Sequence, residues 1–205
     1  SVLLPLGKLI LTAFIATVIF VVVTYLPIIK LIGMKISDYL KGAFEPWLIA
    51  FTTCSSAAAL AVNLEASRKM GASKAIASFA IPLGNTINMN GTSIYMGVTA
   101  VFAAEVFGID LTLTQQFQIV LMGVLAAVGT AGVPGAGLIM TTLVFTEVGI
   151  PLEAVALIAG IDRILDMIRT SVNVLGDSLT ALVVSKSEGV LGTEPRDQDT
   201  VVKEV

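Results

Sequence analysis

The 205-residue sequence has no histidine and a single cysteine, Cys54. Without His, a Cys–His nucleophile, a Ser–His–Asp triad and the common zinc and iron ligand sets are excluded, and one Cys makes no internal disulfide. Charge is scarce as well. Only 13% of residues are charged and 56% are hydrophobic, whereas about a quarter of a soluble domain is charged. That balance reads as an integral membrane protein. The net charge of −3 comes with no basic run and no interleaved aromatic patch, so no nucleic-acid partner is expected. No charged leader with a cleavage pattern opens the chain. It starts just ahead of an apolar run, as a fragment of a longer protein would.

Against this background one segment stands out. The apolar stretch 154–185 carries Asp162, Asp166, Arg169, Asn173 and Asp177 at steps of 4, 3, 4 and 4, which places all five on one face of a helix. Each charge at membrane depth costs roughly 2.5–3.5 kcal/mol on an insertion scale, so the four ionisable groups cost on the order of 10 kcal/mol unless neutralised. Internal pairing of Asp166 with Arg169 and of Asp162 with Arg163 leaves Asp177 unmatched. The stripe therefore reads as a transport or binding site.

Charge flanks give a topology. Residues 9–29 are charge-free, long enough to span, and end at Lys30, Lys35 and Lys41. Residues 46–64 have basic flanks on both sides, which the positive-inside rule keeps in the cytoplasm. Nineteen residues cannot cross twice, so they fit a re-entrant hairpin with its tip near Cys54. Residues 75–104 run outward to Glu105 and Asp110, with helix-disfavouring residues at their centre. Residues 111–146 have acidic flanks and a Gly/Pro-rich centre, the pattern of a second hairpin entering from outside; the polar helix then returns to Lys186. Lys8, on the outer side, breaks the charge rule once. The predicted fold class is an all-α integral membrane protein with two re-entrant helical hairpins and broken helices in an inverted repeat. Its units are a helix at 4–31, a hairpin at 37–70, a broken helix at 74–106, a hairpin at 112–148 and a polar helix at 151–185. These make a domain of residues 1–189, and a polar, mobile cytoplasmic tail covers 190–205.

Each constellation has two readings. The tip 129–137 is either a flexible turn or a set of free backbone groups for an anion or Na⁺. Ser55 and Ser56 are either small packing residues or ligands for a carboxylate. Asn88, Asn90 and Thr92 either cap broken helix ends or supply oxygens to a hard cation, with Asp177 adding charge. Arg169 and Asp166 either pair with each other or receive the carboxylate and the amine of an acidic amino acid.

Gly84-Asn85-Thr86-Ile87-Asn88-Met89-Asn90-Gly91-Thr92, the run Gly129-Thr130-Ala131-Gly132-Val133-Pro134-Gly135-Ala136-Gly137, and the stripe from Asp162 to Asp177 together resemble the glutamate/aspartate transporter family of dicarboxylate/amino acid:cation symporters. The resemblance covers the chain to about residue 189 and implies the C-terminal half of an elevator-type transport domain. Such a protein is a homotrimer in the plasma membrane, built on an N-terminal scaffold absent here. It couples uptake of an acidic amino acid to Na⁺, or to H⁺. Carried over, Ser56 and Asn173 hold the substrate α-carboxylate. Asp166 and the carbonyls of Cys54 and Val133 take the amine. Arg169, Thr92 and the Gly137 amide take the side-chain carboxylate, and Ser55 and Thr170 complete the set. One sodium site uses the carbonyls of Gly84, Asn88 and Asn173 with Asp177; a second uses backbone oxygens of Thr86, Ala127, Val128 and Thr130 and forms as the second hairpin closes. The family's usual Asn-Met-Asp-Gly-Thr carries Asn90 here in place of Asp, which implies fewer than three coupled cations. Archaeal members place Arg where Cys54 stands, a charge that Arg163 would have to replace. Carriers of neutral amino acids or C4-dicarboxylates are the alternatives within transport, and a channel is the rival from another class.

Overall fold

A computed structural model describes residues 3–194, and these are helical with no strand among them. Helix α1 (Leu3–Phe20), a π-helical turn (Val21–Tyr25) and α2 (Leu26–Leu31) form one continuous rod. The π-turn has a local cause. Pro27 has no N–H and its ring crowds the carbonyl four residues back, and Leu26 N–H reaches five residues back to the Val21 carbonyl. Among the described residues, Leu4–Leu31 is the one helix long and apolar enough to cross a bilayer by length and composition.

The other elements are interrupted. After α3 (Ile36–Gly42), α4 (Phe44–Thr53) and α5 (Ser56–Lys69) pack against each other across a two-residue link. Helices α6 (Lys74–Ile87) and α7 (Asn90–Val106) are separated only by Asn88 and Met89. Helices α8 (Leu113–Val128) and α9 (Ala136–Val148) pack together across the loop 129–135. A capping box of Thr112 with Gln115 starts α8, satisfying amides that have no partner within the helix.

The polar helix is not one piece over 151–185. It is α10 (Glu153–Ala159) and α11 (Asp162–Ser187), divided at Gly160 and Ile161, so the break falls immediately before the buried stripe. The tail also differs from expectation where it is described. Gly192 N–H donates to the Gly71 carbonyl at 2.8 Å, and Glu194 Oε2 accepts from Lys74 N–H at 2.7 Å, fastening this stretch to the α5–α6 corner. The remaining tail, 195–205, lies outside the described residues.

Helix α11 is the mast of the molecule, packed on α1, α4, α5, α6 and α7. One apolar cluster surrounds its beginning and ends on it at Leu165; another surrounds its second half and starts at Val172. Asp166 and Arg169 lie between. Outward faces are the reverse, with Phe14, Val23, Phe79, Leu113, Phe117 and Ile139 each more than half exposed. Apolar outside and ionic inside inverts the soluble pattern and suits a lipid or protein surround.

Candidate functional site

All five residues of the stripe are buried: Asp162, Asp166, Arg169, Asn173 and Asp177 are at most 7% exposed. Arg169 donates from Nε to Asp166 Oδ1 at 3.0 Å and from Nη1 to Asp162 Oδ1 at 3.2 Å, with its guanidinium 4.3 Å from the Tyr95 ring centroid. Tyr95 hydroxyl donates to Asp162 Oδ1 and Thr170 hydroxyl to Asp166 Oδ1. Arg163 does not pair with Asp162; it points away and is exposed. The stripe thus buries three carboxylates and one guanidinium, a formal excess of two negative charges. A low-dielectric interior penalises such an excess heavily unless cations meet it.

The two helix pairs meet here tip to tip. Ser55 Oγ and Ala57 N–H both donate to the Gly132 carbonyl, at 3.0 and 3.1 Å. Gly135 N–H donates to Asp166 Oδ2 at 2.8 Å. Between the tips and α11 is a cavity of about 10 Å³, room for one water. Nine of the ten residues expected to bind substrate line it: Cys54 and Ser56, Thr92, Val133 and Gly137, and Asp166, Arg169, Thr170 and Asn173. The tenth, Ser55, caps α5 beside it. Two buried polar atoms of this lining have no partner, Arg169 Nη2 and Ser56 Oγ. At Gly137 a Cβ would sit 2.7 Å from the guanidinium carbon of Arg169, so only glycine lets the second tip close this far.

Two turns further along α11 is a second polar knot. Asn88 Nδ2 donates to Asp177 Oδ1 at 2.8 Å and to the Asn173 carbonyl at 3.1 Å. Asn90 Nδ2 donates to Asn88 Oδ1 at 2.7 Å and to Tyr25 hydroxyl at 3.0 Å. A Cβ at Gly84 would lie 2.6 Å from Asp177 Oδ1. Gly84, Asn88, Asn173 and Asp177 therefore converge, with Asn90 alongside, in an oxygen-rich set that fits a hard cation. The amide nitrogen of Asn88 now holds the carboxylate that such a cation would contact. Among the described residues no three His, Cys, Asp or Glu side chains are grouped so as to hold a metal ion. The other expected cation set is one of backbone oxygens, and side-chain positions do not decide it. Thr86 is exposed with its hydroxyl turned to the Leu83 carbonyl, Val128 is exposed, and the Ala127 carbonyl accepts from Thr130 N–H. Thr130 itself lines the cavity between the tips.

Sequence reasoning gave no role to Tyr95, Met89 or Gly132. Tyr95 shares a helix face with Thr92 at a spacing of three, a signal that was present. Met89 Sδ accepts from Asn173 Nδ2 at 3.1 Å, and the Gly132 carbonyl joins the tips; neither follows from residue type.

A family profile described as the Sodium:dicarboxylate symporter family matches residues 1–187. The chain belongs to this family. It is 39% identical over 196 residues to a proton/sodium-glutamate symport protein of Geobacillus stearothermophilus, covering 96% of this chain and 47% of that protein. It is 40% identical over 162 residues to an excitatory amino acid transporter of Caenorhabditis elegans, covering 78% of this chain and 32% of that protein. A C4-dicarboxylate transport protein of Bacillus subtilis is 38% identical over 186 residues, covering 90% and 44%. The chain spans about half the length, or less, of the curated relatives it matches. Membership makes it a membrane protein of a family of transporters rather than enzymes.

Proposed function

We propose that this chain is the C-terminal part of a secondary active symporter for acidic amino acids such as L-aspartate or L-glutamate, driven by Na⁺ or H⁺ in the plasma membrane. The observation that carries the reading is the pair of buried, unpartnered donors, Arg169 Nη2 and Ser56 Oγ, at one cavity beside an Asp–Arg–Asp cluster. A substrate side-chain carboxylate on the guanidinium fork displaces Asp162 and satisfies Nη2. Its ammonium displaces Gly135 N–H from Asp166, which loosens the second tip and admits the molecule. Ser56 and Asn173 receive the α-carboxylate. A C4-dicarboxylate would bring no ammonium to Asp166, whose Oδ2 faces the second tip, which favours an amino acid over the cargo named for the Bacillus relative.

Cations enter as cargo at Asp177 and Asn88, offsetting the excess negative charge. Asn173 links the levels: its carbonyl meets Asn88 and its side chain meets the substrate cavity. The α4–α5 and α8–α9 pairs are then re-entrant hairpins of an inverted repeat, moving as one elevator-type domain within a homotrimer whose scaffold lies in the other half. Binding of L-aspartate, L-glutamate, L-serine and succinate to the full-length protein, with and without Na⁺, tests this. Acidic amino acids should bind tightest, and more tightly with Na⁺; equal affinity for succinate and L-aspartate would refute the role of Asp166.

A further inference from the structure

Arg163, at the start of α11, lies outside the buried stripe. Its Nη2 donates to the Thr52 carbonyl at 2.9 Å, across 111 positions of sequence. The carbonyl of Arg163 in turn lies 3.8 Å from Cys54 Sγ. Both contacts fall where α4 ends. There the chain turns through Cys54 at φ 56° and ψ 32°, and Cys54 is the one non-glycine residue with positive φ among the described residues. Left-handed backbone is disfavoured for a residue with a Cβ, so surrounding contacts must hold it. Thr53 supplies part of the hold, its hydroxyl donating to the Ile49 carbonyl at 2.7 Å and accepting from Ser55 N–H at 3.2 Å. The last carbonyls of a helix have no donor within it and form the negative end of its dipole. A guanidinium on Thr52 answers both needs. Directly beyond the turn, Ser55 caps α5 and Ser56 lines the cavity with its unpartnered hydroxyl.

We infer that Arg163 is a positioning residue: it clamps the end of α4 onto α11 and so fixes the left-handed turn that aims Ser56 at the substrate. The inference rests on the substrate role proposed for that cavity. Cys54, 1% exposed, reports on the turn independently of transport. Maleimide labelling of the full-length protein in liposomes, located by peptide mass spectrometry, reads whether Cys54 is uncovered. Arg163→Ala should speed labelling of Cys54 about tenfold and raise the KM for L-aspartate about tenfold, with Vmax little changed. Arg163→Lys keeps a cationic donor and should recover most of both effects. Cys54 labelling unchanged in Arg163→Ala overturns the clamp whatever happens to uptake, as does failure of Lys to do better than Ala. Absence of acidic amino acid binding in the unmodified protein sinks the substrate reading instead, and labelling still decides the clamp.

Discussion

Two polar knots sit on one helix, eight residues or roughly 12 Å apart, and they are neutralised differently. Around Arg169, opposite charges meet within the chain: a guanidinium, two carboxylates and an aromatic ring. Around Asp177 the described partner is the neutral amide of Asn88. The first knot can exchange its internal ion pairs for those of a zwitterion at little net change in charge. The second has no cation to exchange, so only an arriving one offsets it. The asymmetry accords with the proposed coupling of a zwitterionic solute to a cation.

The largest effect should come from breaking the first knot. Arg169→Ala removes the sole guanidinium and leaves two buried carboxylates facing each other, a change worth about 3–5 kcal/mol. Calorimetry should show L-aspartate affinity down at least 100-fold with L-serine far less affected; an unchanged affinity for L-aspartate ends the assignment. Breaking the second knot should act on the ion instead. Asp177→Asn is expected to raise the Na⁺ concentration for half-maximal L-aspartate binding about tenfold or more, with the shortfall recoverable at high Na⁺. If Na⁺ dependence is untouched, the two knots do not divide the labour as described.

How far this was readable from sequence depended on range. The stripe, the helix breaks and the glycine-dense tip are local signals, and each corresponds to a buried face or an interruption. The break at Gly160 and Ile161 escaped because one glycine in an apolar run is weak punctuation. The role of Tyr95 and the Thr52 partner of Arg163 escaped because those contacts span 67 and 111 positions, and no periodicity encodes a contact between helices. The docked stretch around Gly192 was hidden by its polar composition, which resembles that of a loose tail.

A subtler test is Gly137→Ala. Its added methyl would crowd the guanidinium from the second tip, and L-aspartate affinity should fall about tenfold while Na⁺ dependence keeps its midpoint. Least in affinity, though informative in stoichiometry, is Asn90→Asp. It places a carboxylate beside Asn88 and Tyr25, and reversal-potential measurements in liposomes should give a higher Na⁺ to L-aspartate ratio than the unmodified protein, whose own ratio is expected below three. A ratio of three in the unmodified protein overturns that expectation.

The self-pairing of Arg169 also bears on the half of the cycle that carries no cargo. A carrier must bring its vacant binding face back through the low-dielectric barrier, and a bare guanidinium would make that return prohibitively slow. Under the proposed function, the acids folded onto the arginine would keep that charge masked on the return.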